Sequence, residues 1–274
     1  MLKQRILTAL VLIPLVVAGI LYLSKAAIAL IFAVVVLQGA WEWSAMAGLK
    51  HKVIRLLYVA VAAAGLFFLW PGTGDRFLME TTGYLSAAWW VLAFVWILVP
   101  GVMDQRSVFS TVLKLFFGTL VLLPLWMALV SIHSISDEGP VWLLSVMVIV
   151  WVADSGAYFA GKAFGKHKLA PRVSPGKTWE GVMGAVVLVL LYTLVATYWL
   201  PVEGDARMWF ILAGLLLVPV SVIGDLFESL MKRHSGIKDS GQLLPGHGGI
   251  LDRIDGLTPA IPLFMLVALV TGII

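Results

Sequence analysis

Apolar residues run in long blocks along the 274-residue chain. A helix that crosses the hydrocarbon of a bilayer needs about 20 mostly apolar residues. Windows of that kind fall near 6–23, 26–46, 53–70, 84–103, 110–132, 141–160, 181–200, 207–224 and 257–274. The pattern predicts an all-α polytopic membrane protein with about nine transmembrane helices, because an open sheet leaves its edge groups unsatisfied in lipid. Lys3 and Arg5 precede the first block as they would in a signal peptide, but the block is long and a second follows almost at once. It reads as a retained anchor. No repeat, low-complexity tract or linker divides residues 1–274, which read as a single integral-membrane domain.

Composition agrees with this reading: 61% of residues are hydrophobic and 12% charged, where a soluble domain carries about a quarter charged. The absence of cysteine excludes disulfides, thiolate metal sites and cysteine nucleophiles. The net charge of +4 reads as topology rather than as a nucleic-acid partner. With the N-terminus in the cytoplasm, only Lys25, Arg76 and Arg207 of the 19 Lys and Arg fall outside. Positive charge favours the inside, so the polar loops 161–180 and 225–256 are both expected to face the cytoplasm.

The longer loop begins on a helical edge, GDLFESLMKR, residues 224–233. If the eighth helix continues through it, Asp225 and Ser229 lie one turn apart on one face, and Glu228 faces Lys232 in the favourable i,i+4 order. Asp225 then sits where apolar span meets water; taken alone it would read as a solvated boundary charge. Downstream, Pro245, Gly246, His247, Gly248 and Gly249 leave backbone N–H groups open. Glycine-rich loops that cradle phosphates do the same, and a flexible turn is the plainer alternative. Asp252 and Asp255 follow at i,i+3 spacing, which would put both carboxylates on one helical face, where they repel unless a cation or basic group lies between them. Hard cations such as Mg2+ take oxygen ligands, usually a carboxylate or two plus substrate phosphates. Asp225, Asp239, Asp252 and Asp255 with Lys232, Arg233, Lys238 and Arg253 thus read as a metal-plus-phosphate site, against the competing reading of a salt-bridged loop.

The other loop reads RVSPGKTWEG, residues 172–181. Gly176-Lys177-Thr178 mimics the end of a P-loop, but that motif needs a glycine where Pro171 stands and a strand before it, so the P-loop reading fails. Ser174 is expected instead to cap a helix whose first residue is Pro175. Lys177 and Thr178 would then lie near its positive end, facing a nucleotide phosphate or lipid headgroups. Asp154 falls inside the sixth span, where a carboxylate is costly and by default functional, although Ala153, Ser155, Gly156 and Ala157 equally suit close helix packing. Glu42, between Trp41 and Trp43, reads as an interfacial anchor and His133 as a boundary residue; neither is assigned a function.

Taken together, Ser229, Lys232, Arg233, Lys238, Asp239, Gly241, Leu244, Pro245, Gly246, His247, Gly248, Gly249, Asp252, Arg253 and Asp255 match a known signature at every fixed position. The chain resembles the bacterial phosphatidate cytidylyltransferases, also called CDP-diacylglycerol synthases. Residues 174–181 resemble that family's second motif, in which Lys usually stands where this chain has Gly176. Length, number of spans and C-terminal placement of the signature agree, so the resemblance covers essentially the whole chain.

The resemblance implies a nucleotidyltransferase of phospholipid biosynthesis. It would convert CTP and phosphatidate to CDP-diacylglycerol and pyrophosphate at the cytoplasmic face of the bacterial inner membrane, with Mg2+, as a homodimer. Asp225 and Asp252 would be the main metal carboxylates, with Asp255 as a further ligand and a second cation such as K+. Lys232, Arg233, Lys238 and Arg253 are expected at phosphates, Asp239 and Asp255 in positioning metal or basic groups, and His247 with Gly246, Gly248 and Gly249 around the pyrophosphate or ribose. Asp154, Ser174, Lys177, Thr178 and Ser229 are further substrate-binding candidates. A polyprenol kinase or an archaeal-type lipid cytidylyltransferase would share the nucleotide chemistry without the full signature. A transporter would spread its charges at mid-depth through several spans, whereas here they cluster in two loops.

Overall fold

The computed structural model describes residues 2–101, 107–243 and 248–274. Arg106, Gly246 and His247 lie outside the described residues. Helices α1 (Leu2–Tyr22), α2 (Lys25–Met46), α3 (Lys52–Leu69), α4 (Arg76–Leu98), α5 (Val108–Ser134) and α6 (Gly139–Phe164) come first. A hairpin of β1 (Lys168–Ala170) and β2 (Ser174–Thr178) follows, then α7 (Trp179–Ala196), α8 (Asp205–Ser235), the single turn α9 (Leu251–Ile254) and α10 (Leu257–Thr271). Among the described residues 8 helical stretches are long and apolar enough to cross a membrane, with α9 and α10 forming one of them, and α1 adds the shorter apolar run Leu10–Tyr22. Every apolar window in the sequence falls on one of these helices.

Several helices start where a short polar side chain satisfies an orphan backbone N–H. Ser24, Asp75, Ser107 and Thr178 accept from the amides of Ala27, Leu78, Ser110 and Gly181. Helix α8 stops at Gly236, whose φ of 72° is left-handed and suits glycine. The interior is aromatic as well as aliphatic: Trp126, Phe210, Phe227 and Phe264 are fully buried. Trp43 and Trp126 also tie α2 to α5 through indole N–H donors, to the carbonyls of Lys114 at 2.7 Å and Ala29 at 3.0 Å.

Helix ends gather in two groups, as short connections between successive spans require. Lys25 Nζ donates to the Ser134 carbonyl and Arg76 to that of Leu269, each at 2.8 Å, so the starts of α2 and α4 meet the ends of α5 and α10. At the opposite end Ser235 Oγ donates to the Met46 carbonyl at 2.6 Å, and the His234 ring lies 2.8 Å from the Pro100 carbonyl. Arg233 Nε reaches the Val173 carbonyl at 3.5 Å. The hairpin and the stretch after α8 therefore share one end of the bundle with the end of α2.

Two expectations are corrected. Ser174 does not cap a helix: residues 174–178 run antiparallel to 168–170, with Ala170 opposite Ser174 and Lys168 opposite Thr178. Proline lacks an N–H yet sits readily on an edge strand, and the partner strand comes from outside the motif; the cap falls to Thr178, whose Oγ1 accepts from Gly181 at 3.2 Å. His133 is buried rather than a boundary residue, with its ring 3.0 Å from the Ile20 carbonyl.

Gly156 shows why the small residues of α6 matter. A Cβ there would lie 2.8 Å from the Gly184 carbonyl oxygen and 3.0 Å from the Ala185 Cα, so α6 and α7 touch backbone to backbone. Overpacking a closed contact costs about 1–3 kcal/mol. Gly156→Leu should lower the unfolding temperature in detergent by several degrees; an unchanged melting curve would show that the two helices do not meet this closely.

Candidate active site

Helix α8 has 31 residues, a length of about 46 Å at 1.5 Å per residue, whereas the hydrocarbon is about 30 Å thick. Its last third must leave the apolar layer, and that part begins at Asp225. Ser229 Oγ donates to Asp225 Oδ1 at 3.2 Å across one helical turn. Lys177 Nζ, from β2, lies 2.7 Å from Asp225 Oδ2, with side-chain exposures of 24% and 36%. A Cβ on Gly224 would run into the Asp255 carbonyl oxygen; the absence of that atom lets α8 abut the α9–α10 turn. Asp225 and Asp255 are thereby close enough to act on each other electrostatically, and Asp154 of α6, Lys177 and Arg253 join the same field. Asp154, Asp225 and Asp255 thus share an electrostatic neighbourhood with Lys177 and Arg253 where α6, β2, α8 and α9 approach one another, and no three acidic or histidine side chains among the described residues are grouped closely enough to hold a metal ion by themselves.

A second cluster lies deeper. Lys232 Nζ is 2.7 Å from Asp252 Oδ1 and 3.5 Å from Glu228 Oε1, with side-chain exposures of 14%, 7% and 5% for Lys232, Asp252 and Glu228. Asp252 Oδ2 accepts from the Ser240 amide at 2.9 Å, the Ser240 hydroxyl at 3.0 Å and the Gly249 amide at 2.8 Å. Gly248 adopts φ 80°, and a Cβ there would come 2.5 Å from the same carboxylate oxygen, so glycine answers both the backbone conformation and the close approach. Asp252 therefore faces Lys232 and the loop, while Asp255 Oδ1 caps the Gly256 amide at 2.8 Å and acts on Asp225. Glu228 interacts electrostatically with Lys232, Asp252 and Asp255 and so stands between the two clusters.

Arg233, Lys238 and Arg253 are exposed at this end of the bundle, available to dissolved anions, and Asp239 is exposed beside Lys238. Thr178 is buried as the cap of α7, and Ser174 is half-buried on β2. The hairpin is pinned to α7 by Glu180, whose Oε1 lies 2.6 Å from His167 Nδ1 and whose Oε2 accepts the Lys166 amide at 3.1 Å.

Glu42 is buried rather than an interfacial anchor. It and Ser240 join the site from 198 residues apart, with Ser240 Oγ 2.9 Å from Glu42 Oε2. The available signal was the carboxylate itself, since an acid inside an apolar span is by default more than decoration.

The donor set suits a hard cation. Mg2+ prefers oxygen ligands and needs only a carboxylate or two when substrate phosphates supply the rest. Asp225, half-open and beside Asp255, presents such oxygens. Asp252 Oδ1, accepting from Lys232, has lone-pair capacity left.

Comparison with known proteins puts the chain in context. The model of the cytidylyltransferase family matches residues 3–271, and the chain belongs to that family. It is 45% identical over 270 residues to the phosphatidate cytidylyltransferase of Pseudomonas aeruginosa, with 96% of each chain covered. The enzyme of the same name from Haemophilus influenzae is 39% identical over 281 residues, covering 96% of this chain and 97% of the relative. That from Thermotoga maritima is 35% identical over 271 residues, covering 97% and 96%.

The two lysines of the site differ in what their loss costs. Removing one partner of a buried pair leaves an uncompensated charge, at about 3–5 kcal/mol, whereas a partly exposed pair contributes about 0–1 kcal/mol. Lys232→Met should therefore destabilise the folded protein severely in a denaturation series in detergent, while Lys177→Met should leave stability nearly unchanged. Equal effects would contradict the buried and open assignments.

Proposed function

We propose that the protein transfers CMP from CTP to phosphatidate, giving CDP-diacylglycerol and pyrophosphate for phospholipid biosynthesis. The observation that carries this reading is an apolar groove lined by the same stretch of α8 that carries Asp225. The groove has a volume of about 690 Å3 and is lined by Phe94 and Leu98 of α4, Val182 of α7, and Val222, Ile223 and Leu226 of α8, with Arg172 on its rim. Val222, Ile223 and Leu226 neighbour Asp225 along α8, so a hydrocarbon chain in the groove would carry its headgroup toward Arg172 at the level of Asp225. A lipid phosphate and a dissolved nucleotide can meet there without either leaving its own solvent.

An anionic phosphatidate oxygen attacks the α-phosphorus of CTP in line; a new P–O bond forms as the bond to the β-phosphate oxygen breaks, and pyrophosphate leaves. The attacking oxygen is already ionised at neutral pH, so no proton has to be removed. The chain's task is to hold two anions together and in line. Arg172 lines the groove, Lys177 lies against Asp225, Arg233, Lys238 and Arg253 are open to the nucleotide phosphates, and Asp154 and Ser229 are neighbours of Asp225. Gly246, His247, Gly248 and Gly249 belong to the pyrophosphate or ribose side of this reading. Mg2+ held by Asp225 and Asp255 would neutralise the crowded phosphates and the leaving group, while Asp252, which the resemblance pairs with Asp225 as a metal carboxylate, is turned to Lys232. Lys232, spent on Asp252 and Glu228, is assigned to holding the site rather than to substrate. The reading also includes a second cation such as K+, a homodimer, and an active site on the cytoplasmic side of the bacterial inner membrane, as the Lys and Arg distribution favours.

Purified protein given phosphatidate, Mg2+ and CTP labelled in the cytidine or at the γ-phosphate should make lipid carrying the cytidine label and none of the γ label. EDTA should abolish the product. Transfer of the γ label to lipid would make the protein a kinase instead.

The groove has its own test. Val222→Trp should raise KM for long-chain phosphatidate by about 10-fold, the scale of a lost apolar contact, while leaving KM for CTP and for a dioctanoyl substrate near wild type. Equal effects on both lipids would remove the groove from the acyl site.

A further inference from the structure

Glu42 is 3% exposed, inside the last third of α2. Its Oε1 accepts from Gln38 Nε2 at 3.1 Å and the Ile250 amide at 3.0 Å; its Oε2 accepts from Ser240 Oγ at 2.9 Å and the Leu251 amide at 3.0 Å. All four donors are neutral. A buried carboxylate is tolerated only when its lone pairs are occupied in this way, so α2 and the loop stand in a fixed relation. Two signature glycines follow from it. A Cβ on Gly241 would come 2.8 Å from Glu42 Oε1, and one on Gly249 would overlap Glu42 Oε2 and Ser240 Oγ.

Ser240 carries this relation to the site. Its hydroxyl lies 2.9 Å from Glu42 Oε2 and 3.0 Å from Asp252 Oδ2, and its amide is 2.9 Å from the same Asp252 oxygen. A hydroxyl has one proton to give, so it serves one carboxylate at a time, and a change at Glu42 alters what Asp252 receives. We propose that Glu42 is a positioning residue of the active site, acting through Ser240 and the 249–251 backbone to set the orientation of the Asp252 carboxylate against Lys232. The proposal rests on the CMP-transfer reading for its kinetic consequences, but not for the clamp itself.

Glu42→Gln keeps the side chain's size, yet in either amide orientation its NH2 meets one of two backbone N–H donors, at Ile250 or at Leu251. Full-length Glu42→Gln in detergent should keep its unfolding temperature within a few degrees and lose about 10-fold or more in kcat, the scale of a lost outer-shell contact. KM for CTP and phosphatidate should stay within about twofold, the split expected when alignment rather than binding is lost. Ser240→Ala should behave alike, and the double variant should fall no further than the worse single, because both act by orienting the one Asp252 carboxylate. Wild-type kcat in Glu42→Gln, or losses that multiply in the double variant, would overturn the proposal. If Glu42→Gln does not fold, Ser240→Ala decides: reduced kcat at normal stability supports the role, and unchanged kcat removes it. If the wild-type protein makes no CDP-diacylglycerol, the functional reading fails. Amide exchange at Ile250 and Leu251 then tests the clamp, with faster exchange in the variant supporting it and unchanged protection overturning it.

Discussion

A charge withdrawn from water must find a counter-charge or a full set of donors, and in this protein that constraint joins three distant stretches of chain. Glu42 on α2 accepts from Ser240, Ile250 and Leu251. Lys232 on α8 holds Asp252. Asp252 in turn gathers the amides of Ser240 and Gly249. Ser240, Gly249, Ile250 and Asp252 are held in place by these polar contacts, and Leu251 adds an apolar anchor buried in the core. The helices supply rigidity, and the ionised groups supply register.

Depth follows from the length of α8. A 31-residue helix cannot fit inside a hydrocarbon layer of about 20 residues' span, and its surplus carries Asp225, Ser229 and Lys232 out of the apolar zone in succession. The β1–β2 hairpin then reaches the first of these through Lys177, and Val222, Ile223 and Leu226 of the same stretch of α8 line the groove. A phosphate on a hydrocarbon stem sits at that depth by its own partition between oil and water. In the proposed reaction the enzyme therefore need not lift the lipid, only turn its headgroup toward the nucleotide.

What could be read in advance was local. Apolar runs marked every long helix, and i,i+4 spacing placed Ser229 over Asp225 and Lys232 beside Glu228, because both depend on one helix being continuous. Ser174 was misread as a cap because its partner strand lies outside the motif that suggested one; hairpin pairing is a property of two segments. Glu42 was undervalued for a related reason, three of its four donors lying 198 and more residues away. The i,i+3 spacing of Asp252 and Asp255 suggested a shared face, but the α-helix there is one turn long. Their surroundings separate them, one toward Lys232 and Ser240, the other toward Asp225 and Asp154.

That separation divides the acidic groups by how freely they can change partners. The Lys177–Asp225 pair is partly open to water, where an ion pair is worth little, so either member can turn to a phosphate or a cation at small cost. Asp252 is nearly sealed, with Lys232 on one oxygen and three donors from the loop on the other. A cation that takes Asp252 as a ligand must repel Lys232, and Lys232 also serves Glu228, so the disturbance passes to the neighbour of Asp255. Glu228 thus links the two clusters electrostatically through Lys232, Asp252 and Asp255. In the proposed reaction the open pair would meet the incoming anions, and the sealed one would hold the loop in register.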